Sequence, residues 1–400
     1  MNWKLKLKSD WGRLGLTSNY EMLSLGELVE FVAKGIPPKY ASEKTEYTIA
    51  VLNQKTNRNF KIDYKLARLN DLSKKKVPLE KMLKANDILI NSTGVGTAGR
   101  IAQLFSVPEP TTVDSHMLIV RADTDKINPI YLGYALKAQQ IVIEALQEGS
   151  TGQTELNRQR LLDEIEISFP SEMKKQEEIA KLFLSLDNQI AENEKINHHL
   201  SEQSRAIFQN LLDTTETNLT SLKEIATIVM GQSPKGNTYN NDNIGLPLLN
   251  GAADFRGGIS PSKWTSEPKK TVSGGEYIFG VRATIGLTTK VFKKYAIGRG
   301  TGSALAKDRE YDEFLYFVLE QLFEHFDNSG SGTVYINISK SDFDNFKFDL
   351  PKKEEISLFH ETVSPLFDLI YNNNSENERL TKLRDTLLPK LMSGETLVKD

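Results

Sequence analysis

The sequence predicts an α+β protein with an internal repeat, in which two heads of mixed strands and helices alternate with two long helices. The two helices are expected to pack antiparallel as a coiled coil, which gives the chain pseudo-two-fold symmetry. Three observations predict this arrangement: a shared heptad pattern, short features that recur in order, and a basic region in each half. The 400 residues allow two to four domains at roughly 100–200 residues each.

The two helical segments, residues 171–215 and 351–396, follow one heptad template. In the first, apolar residues at the a and d positions give way in the middle to Asn193 at a and Asn197 at d. In the second, Asn373 and Asn377 hold the matching positions, 180 residues later. An asparagine in a coiled-coil core fixes register, so each helix is predicted to pair with the other. Pro365 is expected to kink or break the first turns of the second helix.

The segments before these helices, residues 1–170 and 219–350, are predicted to be the heads. Their matching features are residues 23–29 with 220–226, 86–90 with 275–279, 129–136 with 313–319, and 149–152 with 329–332. Asn157 and Asn337 each follow the last of these pairs. The heads are less alike in sequence than the helices, which suits two heads that recognise different targets.

The charge is unevenly distributed along the chain. Residues 1–100 carry 18 Lys and Arg against 10 Asp and Glu, residues 256–309 carry 11 against 3, and the whole chain has a net charge of −3. Two basic regions in a mildly acidic chain indicate two anion-binding surfaces, and a polyanion is the natural partner.

Several classes of protein are disfavoured. No apolar run approaches the ~18 residues of a membrane span, and the N-terminus lacks the apolar core of a secretory signal. The absence of cysteine excludes disulfides and thiolate chemistry, and we expect a cytoplasmic protein.

Enzyme motifs are also missing, so no catalytic residue and no metal ligand is predicted. The sequence contains no P-loop, no methyltransferase Asn/Asp-Pro-Pro-aromatic motif and no metal-ligand spacing among its 5 His. Gly94–Gly99 matches a dinucleotide-binding fingerprint, but prolines soon follow where that fingerprint needs a helix. A tight loop that presents backbone N–H groups and side chains such as Thr97 to phosphate is favoured.

Several motifs resemble those of Type I restriction-modification specificity subunits. Residues 231–234 (Gly-Gln-Ser-Pro), with Tyr239, Gly245 and Pro247 after them, resemble the opening of a target-recognition domain of that family, and residues 34–37 stand in the equivalent place of the first head. Residues 383–395 resemble the family's closing signature, and residues 179–190 resemble the start of its first helix. The resemblance covers nearly the whole chain in the order head, helix, head, helix.

This resemblance implies a non-catalytic subunit that recognises double-stranded DNA. Each head would read one half of a bipartite site, and the long helices would set the spacer. Two methylation subunits would dock on the helices and methylate adenine N6, and restriction subunits would add cleavage. The implied cofactors, S-adenosylmethionine, ATP and Mg²⁺, would belong to those partners and not to this chain.

The predicted DNA-binding residues are polar side chains in or near loops of the basic regions, chosen because Arg reads guanine, Asn and Gln read adenine, and Lys, Ser and Thr contact phosphate. They are Lys34, Lys39, Arg58, Asn91, Ser92, Thr93 and Arg100 in the first head, and Gln232, Ser233, Lys235, Asn250, Arg282, Thr284 and Arg299 in the second.

Three alternatives remain open from the residues. The chain could be the recognition subunit of a related methylation-only system, a coiled-coil scaffold with two protein-binding heads, or an independent enzyme. A scaffold would bind DNA weakly and without dependence on salt, and the missing enzyme motifs disfavour the third alternative.

Overall fold

The computed structural model describes residues 20–148, 154–281, 285–329 and 338–395. The chain divides into two compact units, residues 1–189 with 380–400 and residues 190–379, which we call the first and second units. Each unit contains one head and part of each long helix. Of the predicted repeat features, residues 149–152, residues 330–332 and Asn337 lie outside the described residues.

The first head is a set of short strands with three helices, followed by a long helix. The strands are β1 (Tyr20–Ser24), β2 (Val29–Lys34), β3 (Tyr40–Ala41), β4 (Thr48–Leu52), β5 (Asn57–Arg58), β6 (Lys61–Ile62), β7 (Arg68–Asp71), β8 (Ile88–Asn91), β9 (Ile101–Gln103), β10 (Thr111–Val113), β11 (Met117–Ala122), β12 (Gln147–Glu148), β13 (Glu155–Leu156) and β14 (Glu166–Pro170). The helices are α1 (Pro129–Ala138), α2 (Gln140–Glu144), α3 (Arg158–Glu164) and the long α4 (Met173–Thr214).

The second head repeats this composition and ends in the second long helix. Its strands are β15 (Thr217–Ser221), β16 (Ala226–Met230), β17 (Tyr239–Asn240), β18 (Leu246–Leu249), β19 (Lys263–Thr265), β20 (Thr271–Val272), β21 (Tyr277–Gly280), β22 (Thr288–Lys290), β23 (Tyr295–Ile297), β24 (Thr301–Ala306) and β25 (Lys347–Pro351). The helices are α5 (Leu222–Ile225), α6 (Asp312–Ser329), α7 (Lys340–Asn345) and α8 (Lys353–Met392).

The strand order of the two main sheets of the first head recurs in the second head. The order β2-β11-β8-β9 in the first head recurs as β16-β24-β21-β22 in the second, and β10-β4-β7-β3 recurs as β23-β18-β19-β17 with β20 added beside β23. The parallel pair β10–β4 recurs as the parallel pair β23–β18. The predicted divergence of the heads therefore lies in their side chains and loops, because backbone pairing tolerates wide changes of sequence.

Apolar strands and helix faces supply the core of each unit. In the first unit, the wholly buried strands β8 and β11 pack with Tyr131 and Tyr134 of α1 and with Phe183 of α4. In the second, Phe314 and Phe317 of α6 cluster with aromatic residues of both long helices. Burying each such side chain contributes roughly 1.5–3 kcal/mol. Each head therefore shares a hydrophobic core with the parts of the long helices in its own unit.

The long helices pair antiparallel through the asparagines that the heptad pattern singled out. Asn193 Nδ2 donates to Asn377 Oδ1 at 2.9 Å, and Asn373 Nδ2 donates to Asn197 Oδ1 at 2.9 Å. The two bonds are related by the 180-residue repeat, and residue numbers rise along one helix as they fall along the other. Satisfied amides at these core positions fix one register, as the sequence predicts.

The sequence predicted a kink or a break at Pro365. A break is wrong, because α8 is continuous from Lys353 to Met392. Proline removes one helical hydrogen bond and crowds the preceding turn. Buried side chains on both sides, Phe359, Val363 and Phe367, anchor this stretch in the second core. Tertiary packing therefore holds the helix through a residue that local propensity disfavours.

A buried ionic cluster joins α1 to both long helices within the first unit. Asp187 of α4 accepts hydrogen bonds from the Tyr134 hydroxyl at 2.7 Å and from Arg384 Nη1 at 2.6 Å. Lys137 Nζ lies 3.5 Å from the Asp187 carboxylate and 4.4 Å from the centre of the Phe60 ring. Burial of the ammonium outweighs the nearby carboxylate and lowers the pKa of Lys137 to about 8.

Stability should therefore depend on pH through Lys137. Between pH 8 and its ordinary pKa of 10.5, the unfolded chain holds a proton that the folded chain has lost, so unfolding becomes less favourable as pH rises. We expect Lys137→Met to stabilise the chain at pH 7 by on the order of 2–3 kcal/mol. That difference should shrink as the pH rises from 8 to 10.5.

Denaturant unfolding across this pH range measures the effect. Lys174→Met, at a site on α4 where the side chain is 85% exposed, is the matched control and should show no such trend. A Lys137→Met difference that stays constant from pH 7 to 10.5 would contradict the assignment of the lowered pKa to this lysine.

Candidate nucleic-acid interface

Three turns of the second head are held side by side by backbone hydrogen bonds. The Gly231 N–H donates to Thr301 O at 2.9 Å, and the Gln232 N–H donates to Ile297 O at 3.1 Å. The Gly298 N–H donates to Leu249 O at 2.9 Å, and the Gly300 N–H donates to Asn250 O at 3.0 Å. We call residues 231–232, 250–251 and 298–300 the second turn cluster.

The second turn cluster presents three of the predicted site residues together. Gln232, Asn250 and Arg299 are all exposed. The Asn250 N–H donates to the Asp254 carboxylate at 2.8 Å, and its side-chain oxygen lies against Gly298, where a Cβ would come within 2.0 Å of it. An amide, a second amide and a guanidinium in one place can donate to and accept from the edges of nucleobases.

The other predicted residues of the second head lie near the cluster or outside the described chain. Ser233 and Lys235 follow directly after Gln232, Ser233 half-buried and Lys235 exposed. The Lys235 carbonyl accepts bonds from the Thr238 N–H and hydroxyl, so its backbone is fixed while its ammonium faces solvent. Arg282 and Thr284 lie outside the described residues.

The second turn cluster requires a glycine at position 231. A Cβ there would lie 2.1 Å from Gly298 O and 2.5 Å from Thr301 O, and both contacts are backbone atoms that cannot rotate away. Gly35 occupies the corresponding position of the first head, where a Cβ would lie 2.1 Å from Val113 O. The same close approach of backbone to backbone has therefore been kept in both heads.

Gly231→Ala should consequently push the turns apart and lower the stability of the second unit by about 1–3 kcal/mol. Gly236→Ala is a matched control in the same loop, because no atom lies within 4 Å of the position of its Cβ. Thermal unfolding of the two variants should separate them clearly. Equal melting temperatures would show that the cluster relaxes without cost.

The first head holds an equivalent cluster, formed by residues 35–36, 53 and 114–116. The Gly35 N–H donates to Met117 O at 3.1 Å, the Ile36 N–H to Val113 O at 3.0 Å, and the Asp114 N–H to Leu52 O at 2.9 Å. These three bonds correspond to the bonds that the N–H groups of Gly231, Gln232 and Gly298 donate in the second turn cluster. We call this set the first turn cluster.

The side chains of the first turn cluster differ from those of the second. Ile36 replaces Gln232, Asn53 replaces Asn250, and Ser115 replaces Arg299, with exposed His116 beside it. Asn53, Ser115 and His116 were not predicted, because only strand-by-strand alignment of the heads reveals their equivalence. The two clusters therefore share a backbone and offer different hydrogen-bonding groups.

Thr93 is the predicted residue that the structure brings to the first turn cluster. Its hydroxyl lies 2.8 Å from His116 Nδ1 and also accepts a hydrogen bond from Gln54 Nε2. Arg100, in the same glycine-rich loop, donates from Nη2 to Gly96 O at 2.8 Å. The loop joins the antiparallel strands β8 and β9 and does not open a helix, so it lacks the geometry of a dinucleotide fingerprint.

Lys34 directly precedes Gly35 of the first turn cluster, whereas Lys39 and Arg58 lie in other parts of the first head. Lys34 ends β2 and forms an ion pair with Glu155. Lys39 is exposed, and its N–H donates to Asn70 Oδ1 at 2.9 Å. Arg58 is exposed at the β5–β6 hairpin.

Asn91 and Ser92 must be reassigned from DNA contact to structure. Both are fully buried. Asn91 Oδ1 accepts from Asn57 Nδ2 at 3.2 Å, and Asn91 Nδ2 donates to Gln54 O at 3.3 Å, so its amide holds neighbouring loops together. A polar residue just after an apolar strand can turn into the head as readily as out of it, and the sequence does not distinguish the two.

Within the described ranges, neither a metal site nor a membrane span was found. Among the described residues, no cluster of three His, Asp or Glu is placed to hold a metal ion. In the same part of the chain, no helix has the length and apolar character that crossing a bilayer requires.

Comparison with known proteins identifies the same repeat. The family described as Type I restriction modification DNA specificity domain matches twice, over residues 17–202 and 216–384. The chain is 25% identical over 409 residues to the MjaX type I restriction enzyme specificity subunit of Methanocaldococcus jannaschii, covering 96% of this chain and 95% of that one. It is 32% identical over 132 residues to the HindI specificity subunit of Haemophilus influenzae, covering 32% of this chain and 29% of that one.

A solved structure shows the same fold. The S subunit of the Type I restriction-modification system from M. genitalium superposes with a TM-score of 0.61 at 18% identity, over 94% of this chain and 96% of that chain. Because the family matches each head with its long helix, the duplicated topology and the family agree. The chain belongs to the Type I restriction-modification DNA specificity family and is a DNA sequence-recognition subunit, as its motifs predicted.

Proposed function

We propose that each head reads one half of a bipartite site in double-stranded DNA through its turn cluster. The observation that carries this proposal is the pair of equivalent turn clusters with different polar side chains. One backbone frame used twice suits one kind of ligand, and different side chains on it suit two different base sequences. Polar residues at the base edges supply specificity, whereas backbone contacts supply position.

The second turn cluster has the clearer chemistry. Arg299 can donate two hydrogen bonds to the O6 and N7 atoms of guanine, and Gln232 or Asn250 can bind the N6 and N7 atoms of adenine. The first turn cluster offers Asn53, Ser115, His116 and Thr93, which suit a different half-site. Because Arg299 suits guanine, we expect the half-site read by the second head to contain guanine.

The chemistry on DNA is proposed to belong to partners. Two methylation subunits would dock on the paired long helices and transfer a methyl group from S-adenosylmethionine to adenine N6. Restriction subunits would use ATP and Mg²⁺ to translocate and cut unmethylated DNA. The 180-residue repeat supports two equivalent docking faces on one chain, and we propose that the complex acts in the cytoplasm, where the DNA lies.

Selection from a randomised duplex library tests the proposed reading. The full chain is purified with the methylation subunit encoded beside it, and bound duplexes are sequenced after several rounds at fixed salt. We expect two short conserved blocks separated by a spacer of fixed length and free sequence.

The methylation subunit alone is the control and should enrich no such motif. A single uninterrupted motif would contradict independent reading by two heads. Enrichment of no motif by the intact complex would contradict sequence recognition itself.

A further inference from the structure

Each head carries a cation against a tyrosine ring. The Arg68 guanidinium carbon lies 3.2 Å from the centre of the Tyr40 ring in the first head. Lys263 Nζ lies 5.9 Å from the centre of the Tyr239 ring in the second. Neither pair was singled out by the sequence, because in each the two residues are more than twenty positions apart.

The two pairs occupy the same place in the fold. Tyr40 is in register with Asn70 on β7, and Tyr239 is in register with Thr265 on β19, two residues beyond the cation in each case. On the neighbouring strand, Arg68 pairs with Val51 of β4 and Lys263 pairs with Leu248 of β18. The register therefore makes Tyr40 equivalent to Tyr239, and Arg68 equivalent to Lys263.

Both cations project from the side of the sheet that faces away from its apolar cluster. Leu52 and Leu249, which end β4 and β18, belong to the apolar clusters under these sheets. Side chains alternate along a strand, so the residues before them, and the cations paired with those residues, point to the opposite face. Arg68 and Lys263 are exposed there.

The pairs also lie close to the turn clusters. Val51 and Leu248 stand two residues before Asn53 and Asn250, a distance of about 7 Å along a strand. In the first head, Arg68 interacts electrostatically with the carboxyl group of Asp114, a member of the first turn cluster. Within the described part of the chain, neither Arg68 nor Lys263 forms an ion pair with a carboxylate, whereas Lys34 does.

We propose that Tyr40–Arg68 and Tyr239–Lys263 are phosphate-binding pairs that orient the DNA on each head without reading its sequence. This inference rests on the proposed function. The turn clusters differ between the heads, as base-reading groups should, whereas the cation and its tyrosine are shared, as backbone-contacting groups should be. The ring limits the side-chain freedom that the cation loses on binding. In the first head Arg68 also hydrogen-bonds with the Tyr40 side chain, and its guanidinium has further N–H groups that can donate to a phosphate oxygen.

The second head is the better place for a test, because Gly298 stands where the first head has Asp114. Lys263→Gln removes the charge and keeps most of the stem. In the full complex with the methylation subunit, we expect weaker binding to duplexes with the selected motif and to duplexes with a scrambled second half, by a similar factor. The slope of log affinity against log salt should fall by about 0.9, the value for one lost phosphate contact.

Three further variants isolate the pair. Lys263→Arg should keep both affinity and slope, and Tyr239→Ala should weaken binding while Tyr239→Phe does not. Lys293→Gln removes an exposed lysine beside Phe292 from the same basic region, and it should leave the slope unchanged. A fall in slope for Lys293→Gln equal to that for Lys263→Gln would show a general charge effect and overturn the assignment.

The outcomes separate this inference from the proposed function. A wild-type complex that selects a bipartite motif while Lys263→Gln keeps the full salt slope would overturn the phosphate pair only. A lower melting temperature for Lys263→Gln with an unchanged slope would show a structural role and also overturn it. A change of the selected second half-site in Lys263→Gln would make this lysine a base reader, contrary to the proposal.

Discussion

Replacing Arg299 with alanine should relax the sequence requirement in one half of the recognised site and leave the other half unchanged. Arg299 is the exposed guanidinium of the second turn cluster, held between Gly298 and Gly300, whose N–H groups bond Leu249 O and Asn250 O. A bidentate contact between arginine and guanine contributes about 1–3 kcal/mol of discrimination, roughly a 5-fold to 150-fold preference. The selected motif of the Arg299→Ala complex measures this directly.

Arg299→Lys is the matched control, because it keeps the charge and loses the planar pair of donors. We expect it to retain most non-specific affinity and still relax the same base position. Unchanged selectivity in both variants would show that Arg299 does not recognise a base. Relaxation of both halves at once would contradict the assignment of one half-site to each head.

Asp187→Ala should destabilise the first unit by about 3–5 kcal/mol, because it leaves buried Lys137 without its carboxylate partner and leaves Arg384 with only the more exposed Asp385. Asp187 accepts from the Tyr134 hydroxyl and from Arg384 Nη1, and Lys137 Nζ lies 3.5 Å away. The Asp187 side chain is 13% exposed, and that of Arg384 is 16% exposed. Denaturant unfolding of the full chain gives the change in the free energy of unfolding.

Glu177→Ala is the matched control for this prediction. Glu177 lies on the same helix, is 47% exposed and is 4.0 Å from Lys181, so its loss should change stability by less than about 1 kcal/mol. The triple variant Asp187→Leu, Lys137→Met, Arg384→Leu removes all three charges together and should recover much of the lost stability. A triple variant as unstable as Asp187→Ala would show that the packing around Asp187, and not its charge, stabilises this part of the first unit.

The long helices could be predicted from the sequence because their signal is periodic and local. Asn193 and Asn197 stand at core positions of one heptad pattern, and Asn373 and Asn377 match them in the other. Across the two helices, Asn193 bonds Asn377 and Asn373 bonds Asn197. Pro365 shows the limit of the same reasoning. Its cost is local, but the burial that offsets it comes from residues far away in the chain.

The recognition surface could be predicted only in part. Gln232, Asn250 and Arg299 were chosen for their chemistry. The structure brings their three turns together because β18 pairs with β23, β16 pairs with β24, and the chain turns directly from β23 into β24. His116 was overlooked because its position becomes meaningful only when the strands of the two heads are matched. Pairing register depends on contacts between distant segments, which sequence patterns do not encode at this level of divergence.

The measurement that tests the central claim most directly is a map of N6-methyladenine across a genome. The chain is expressed with its methylation subunit in a host that lacks other adenine methylation, and a strain without the chain serves as the reference. A two-part motif with a fixed spacer, methylated only when the chain is present, is the predicted result. No new methylation, with the methylation subunit shown to be folded and bound to the chain, would contradict its role in directing where DNA is modified.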